Sequence, residues 1–253
     1  MGNLQEKRHI SIIIPSFHSE ILTSICIRSF ERFCPPDIIL KYIVIENSND
    51  TSYKNKIIGL SSNVMWINNV TLSRGSEANA EAIQIGLKSA KTDLIFMCHC
   101  DVCVTSESFL YSMVEKYDEG YRVVGTLFDT NPNRIGAIHV MGLLTDVELA
   151  KKVEYMPVYR NKIQIMDVGN KLIKYCNDNG IKTYCFKNTF NYPEISSMTD
   201  KYREFNVSKC VNHKNEVLFM HLGRGILKTQ GNKLANKVDL NEWVGVCNGV
   251  ISL

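Results

Sequence analysis

The chain has 253 residues, of which 45% are apolar, 22% charged and 9% aromatic. These proportions exclude a disordered tail, a collagen-like fibre and a low-complexity scaffold. Lys plus Arg outnumber Asp plus Glu by 29 to 26, and a net charge of +3 is too mild to point to a nucleic-acid partner. A chain of this length buries roughly three quarters of its unfolded surface, so a single domain over residues 1–253 is expected. The nine cysteines are odd in number and scattered from Cys26 to Cys247, a poor disulfide framework. The N-terminus, MGNLQEKRH, has no secretory pattern, and the first apolar run is too short for a membrane span. Reduced thiols in a cytoplasmic protein are the expectation.

Taken in chain order, His9 to Ile14 is a β-branched run of buried-strand type. Residues 20 to 33 carry apolar side chains at helical spacing, and Ile38 to Ile45 is a second strand ending in the polar turn Glu46-Asn47-Ser48-Asn49-Asp50. Val64 to Ile67 is a short third strand. Ser76 to Ala90 is a helix with Ala80, Ile83, Leu87 and Ala90 on one face, and Leu94 to Cys98 is a fourth strand. Further on, Tyr117 to Leu127 reads as helix end plus strand, Ile135 to Leu144 as a strand and Asp146 to Val153 as a short helix. Asp167 to Asn179 is a helix stopped by Asn179-Gly180, Ile181 to Phe186 a strand, and Glu216 to Met220 the last strand before His221-Leu222-Gly223-Arg224-Gly225. Strands alternating with helices imply a largely parallel sheet, whose ligands sit beyond the carboxyl ends of the strands. The polar clusters after the first-half strands lie at such ends, so one site built from several loops is expected.

The densest cluster is Cys98-His99-Cys100-Asp101-Val102-Cys103. It has three readings. Asp101 can serve a hard divalent cation as an oxygen ligand. Cys98, Cys100 and Cys103 can be zinc ligands, but no second pair follows at a suitable distance. Alternation along a strand would also turn Cys98 and Cys100 away from His99 and Asp101. The third reading makes the cysteines small core hydrophobes. The first reading for Asp101 and the third for the thiols fit best. At the end of the first strand, Pro15, Ser16 and Phe17 can be an ordinary strand-to-helix turn, or they can give backbone contacts and an aromatic wall for a base.

The stretches ISIIIPSF at 10–17, YIVIENSND at 42–50, SRG at 73–75 and GLKSAKTDLIFMCHCDV at 86–102, in this order, resemble the GT-A glycosyltransferases of the large family-2-like group. The resemblance covers residues 9–104 in order and spacing, and it extends to Asp167-Val168-Gly169 and His221-Leu222-Gly223, which resemble later elements of bacterial polysaccharide transferases. It implies an α/β GT-A fold, with a mostly parallel sheet flanked by helices. Residues 9–104 would form the nucleotide-sugar half and 105–253 the acceptor half.

By that resemblance His99, Cys100 and Asp101 stand at an Asp-x-Asp motif, with His99 in place of the first Asp. Asp101 would hold Mn²⁺ or Mg²⁺ against a nucleotide-sugar diphosphate, helped by His221. Glu46, Asn47, Arg74 and Gly75 would lie against the nucleotide, with Gly223 to Gly225 closing as a basic loop over the phosphates. His139 would belong to the acceptor site, and Asp167 would be the catalytic base, with a helix N-cap as its structural alternative. Asp129, Asp146 and Glu194 are the other acids in reach of that role. The implied reaction is an inverting transfer from a nucleotide sugar, UDP-linked by default, to a glycan or lipid-linked glycan. A lipid-linked acceptor would bring the protein to the inner face of the membrane. A non-catalytic nucleotide- or glycan-binding module, and a sugar-phosphate nucleotidyltransferase, remain as alternatives. The nucleotidyltransferase would want a Gly-rich basic loop where Pro15-Ser16-Phe17-His18 stands.

Overall fold

The structure, a computed structural model, describes residues 7–198, 202, 205–225 and 238–252. Its centre is a seven-stranded sheet. The strands are β1 (Arg8–Ser16), β2 (Ile38–Glu46), β3 (Val64–Asn68), β4 (Leu94–Cys98), β6 (Val123–Gly125), β9 (Gly142–Asp146) and β12 (Thr183–Cys185), in the order β12-β6-β9-β4-β1-β2-β3. Neighbours run parallel except β9, which is antiparallel to both β4 and β6. A small second sheet is formed by β5 (Val102–Val104), β13 (Ser208–Val211) and β14 (Val217–His221), with β14 between the other two. Two hairpins, β7 (Phe128–Asp129) with β8 (Ala137–Ile138) and β10 (Val158–Arg160) with β11 (Ile163–Met166), complete the strands described.

The period-two alternation of β1 divides its side chains between two cores. Ile10, Ile12 and Ile14 join one cluster with helix α1 (Glu20–Arg32), while Ile13 joins the other with α3 (Ser76–Ser89). Ser11 shares the second face at 1% exposure. Its amide donates to Thr92 Oγ1, and the Thr92 hydroxyl donates to Ser11 Oγ, which removes the cost of burying them. The short helix α2 (Lys54–Ile58) follows β2, and α4 (Ser108–Asp118), α5 (Val147–Ala150), α6 (Asn170–Asp178) and α7 (Leu240–Ser252) are the remaining α-helices described. Trp243 of α7 is fully buried and stacks on Phe205 with ring centres 6.0 Å apart. No described helix is long and apolar enough to cross a membrane.

The structure departs from the sequence expectations in the second half. The apolar run Ile135–Leu144 is two strands, β8 and β9, broken at His139–Met141, where the Met141 amide donates to His139 Nδ1 at 3.1 Å. Both pieces are buried, so hydropathy cannot register the break. The helix expected from Asp167 begins at Asn170 instead. Gly169 precedes it at φ 88°, a left-handed conformation open to glycine, and a Cβ there would meet Val140 Cγ1 at 2.6 Å. Asp167 is therefore not the N-cap.

Close approach of α3 to β1 depends on Gly86, where an added Cβ would lie 2.5 Å from Ile13 Cγ2. Gly86→Ala gains about 1 kcal/mol in helix propensity. It forces a β-branched, fully buried side chain to move, which costs typically 1–3 kcal/mol. We expect a net loss of stability, read as a lower urea midpoint with unchanged m-value, and a double variant Gly86→Ala, Ile13→Ala that loses less than the sum of the two single variants.

Candidate metal and nucleotide site

Strand β4 ends at Cys98 and the chain resumes as β5 at Val102, so His99-Cys100-Asp101 is the hinge between the two sheets. Register fixes what meets it. Val102 pairs with His221, the last residue of β14, and the Leu222 amide donates to the Asp101 carbonyl at 3.0 Å. The next turn brings Gly225 back, and its amide donates to Asp101 Oδ2 at 2.8 Å. A Cβ at Gly225 would lie 2.5 Å from Asp101 Cβ, so only glycine fits this approach.

Asp101 is 4% exposed. Its Oδ1 lies 3.3 Å from His221 Nε2 and 3.8 Å from His99 Nδ1, and these three atoms are within 4.8 Å of one another. Burial pushes the Asp101 carboxyl up, but His221, His99 and the Gly225 amide outweigh it and hold the group well below the usual carboxylate range. Burial, reinforced by His139, pulls the His99 imidazole down to about 3, so this ring is neutral with a lone pair to offer. His221 Nε2 is buried and makes no hydrogen bond despite facing Asp101. Donor atoms that share one ion at about 2.1 Å lie about 3.0–3.5 Å apart for angles of 90–110°. The 3.3 Å spacing of Asp101 and His221 and the orphaned nitrogen suit a divalent cation, and His99, at 3.8 Å, would draw in by a few tenths of an ångström to share it. Among the described residues this is the only such His/Cys/Asp/Glu group.

The thiols take no part. Cys98 and Cys100 are buried in the core on the far side of the hinge, and Cys26 Sγ lies 4.0 Å from Cys98 Sγ. Burial raises the thiols of Cys26 and Cys100 well above their ordinary value. The described cysteines are free.

Around the centre the structure gathers His139, whose ring lies 5.3 Å from that of His99 in an edge-on arrangement. The Met141 amide occupies its Nδ1, so the neutral ring carries its proton on Nε2. The charge of Asp167 acts on both His99 and His139. Asp167 Oδ2 accepts from Arg134 Nη1 at 2.6 Å, and its Oδ1 accepts from Gln164 Nε2 at 3.0 Å and from the Val168 amide at 2.8 Å. Arg134 also donates to Asp129 Oδ2 at 3.0 Å and to Gln164 Oε1 at 2.6 Å. Sequence reasoning missed Arg134 and Gln164, since neither stands in a motif.

Asp146 lies elsewhere. Because β9 is antiparallel, Asp146 pairs with Leu94 at the amino end of β4, where it caps α5 through the Leu149 amide and binds Arg122 at 2.7 Å. Glu194 lies in the 3₁₀ helix Pro193–Met198.

At the ends of β1 and β2, Pro15 and Ser16 are buried and Phe17 is half-buried, its ring edge-on to His18. Glu46 is fully buried. Oε1 accepts from the His18 and Ser48 amides and the Ser48 hydroxyl, and Oε2 from the Tyr53 hydroxyl, so the carboxylate organises the loop. Asn47 is likewise engaged, with Ala78 O at 3.0 Å and Asn69 at 2.8 Å. Arg74 and Gly75 are exposed at the start of α3, where Gly75 adopts φ 54°.

No family model matches the chain, and no curated protein matches it in sequence. Solved structures do match in fold. Glucosyl-3-phosphoglycerate synthase of Mycobacterium tuberculosis is 13% identical with TM-score 0.51 over 70% of this chain and 70% of its own. The same enzyme crystallised with Mn²⁺, UDP and glucosyl-3-phosphoglycerate gives 14% identity and TM-score 0.51 over 70% and 69%. A mycobacterial protein of 14% identity gives TM-score 0.50, and the match takes in 64% of its length. A Pyrobaculum calidifontis mannosyltransferase crystallised with GDP-Man and Mn²⁺ is matched over only 47% of its length, at 13% identity and TM-score 0.46. The chain has the GT-A fold found in nucleotide-sugar glycosyltransferases.

Proposed function

We propose that the protein is a metal-dependent glycosyltransferase. It moves a sugar from a nucleotide-diphosphate donor, UDP-linked by default, to a hydroxyl of a glycan or lipid-linked glycan, with inversion. The observation that carries this reading is the His99–Asp101–His221 group, where β4 of the large GT-A sheet ends beside the end of β14 of the small sheet. A lipid-linked acceptor would put the reaction at the inner face of a membrane.

Asp101, His99 and His221 would hold a divalent cation, Mn²⁺ or Mg²⁺, and a bound ion would supply Lewis-acid stabilisation of charge on the leaving diphosphate. Phe17 supplies an apolar wall for the base. Arg74, exposed just before α3, supplies positive charge for phosphate. Asp167 is the base: it takes the acceptor hydroxyl proton as that oxygen attacks the anomeric carbon and the bond to the diphosphate breaks. Arg134 and Gln164 orient the Asp167 carboxylate, and the Nε2–H of His139 donates to the acceptor.

Transfer or hydrolysis of UDP-sugars by the purified protein should need added Mn²⁺ and stop with chelator. Asp101→Ala should lower kcat/KM by about 10²–10³-fold. Full activity in that variant, or UDP binding without turnover of any nucleotide sugar, would overturn the reading.

Asp167→Asn should lower kcat by about 10²–10⁴-fold while leaving donor KM within a few-fold, as loss of a base requires.

Arg134→Ala leaves two largely buried carboxylates and Gln164 short of a donor. We expect about 1–3 kcal/mol lower stability in urea unfolding, and less than that when Asp129→Asn is already present.

A further inference from the structure

Asn79 lies in the first turn of α3 with its amide nitrogen 3.2 Å from His99 Nε2. Its Oδ1 is buried and has no hydrogen-bond partner. The opposite ring nitrogen, Nδ1, is the one that faces Asp101 Oδ1. A neutral imidazole carries one N–H, so the end of the amide offered to Nε2 decides where that proton sits. The NH₂ end makes Nε2 an acceptor and puts the proton on Nδ1, pointing at Asp101. The carbonyl end accepts from Nε2–H and leaves the Nδ1 lone pair facing Asp101 and His221. The two ends have the same shape. A half-turn of the side chain exchanges them and engages the oxygen that otherwise lacks a partner.

Of the two imidazoles beside His99, that of His139 has no such freedom. His139 is fixed by a backbone amide, which can only donate, and that amide occupies its Nδ1. Imidazole nitrogens suit borderline first-row ions, whereas Mg²⁺ prefers an all-oxygen shell.

We propose that Asn79 is a positioning residue of the metal centre. Its amide sets His99 to the Nε2–H tautomer and thereby completes a donor set of two imidazoles and one carboxylate that favours Mn²⁺ and Co²⁺ over Mg²⁺. The inference rests on the metal-dependent reading above, and it concerns binding rather than turnover. A histidine ligand whose second nitrogen loses its partner typically loses about 10–100-fold in metal affinity.

The test is Co²⁺ titration of the purified protein without any nucleotide sugar, followed by calorimetry and visible absorption, with Mg²⁺ as competitor. Asn79→Ala should weaken Co²⁺ about 10–100-fold. Asn79→Asp, whose carboxylate accepts from Nε2–H and cannot donate to Nε2, should keep wild-type affinity or exceed it. In the metal-free state, ¹⁵N spectra of His99 should show the Nε2–H tautomer enriched in Asn79→Asp relative to wild type. His99→Asp should narrow the preference for Co²⁺ over Mg²⁺ by at least tenfold. Wild-type Co²⁺ affinity in Asn79→Ala, equal losses in the Ala and Asp variants, or an unchanged Co²⁺/Mg²⁺ ratio in His99→Asp would each overturn the inference. If no nucleotide sugar is turned over but Co²⁺ affinity follows Asn79 in this way, the transferase reading fails and the inference stands. If turnover is metal-dependent and affinity ignores Asn79, only the inference fails.

Discussion

A negative charge at 4% exposure has to be answered by the chain around it, and the carboxylate of Asp101 sets much of the architecture for that reason. Its answers come from distant places: the Gly225 amide, His221 at the end of β14, and His99 two residues before it. For these to converge, β4 must stop and restart as β5, β14 must pair antiparallel with β5, and the following turn must fold back on glycine. The small sheet is thus more than an appendage. It is the frame that delivers a histidine and a peptide N–H to a strand end of the large one.

Much of this was legible in the sequence because strand periodicity is local. Leu94–Cys98 ends where its apolar run ends, and alternation places Cys98 and Cys100 in the core and leaves His99 and Asp101 toward the site. The surplus of cysteine is therefore a packing choice beside the site. β1 was equally readable, since a strand buried on both faces needs an unbroken β-branched run.

What escaped the sequence are the side chains whose meaning lies in a partner far along the chain. Asn79 sits on a helix between two alanines, and nothing local marks that it meets His99, 20 residues on. Arg134 stands in a loop, while its partners Gln164 and Asp167 arrive from a hairpin end and the approach to α6, 30 and 33 residues later. Glu46 is the converse case. Its place at a strand end was clear, but four donors from its own loop and from Tyr53 take up its oxygens. Asp146 could be read only as an acid near a helix start, because strand direction is a tertiary fact: running antiparallel, β9 carries it to the amino end of β4, the end away from His139.

That reversed strand also acts as a ruler. Gly142 is paired with Cys98, so just two residues separate His139 from the point where the chain is locked beside the metal-side hinge. Sliding β9 by one residue would move its upstream segment by about 3.4 Å and turn its side chains to the other face. Residues 139–141 are consequently a spacer of fixed length, intolerant of insertion. The hairpin β7–β8 just before them is pinned as well, because Ala137 and Ile138 are buried and Arg134 in its turn reaches across to Asp167, so a change of length there would be felt at that carboxylate.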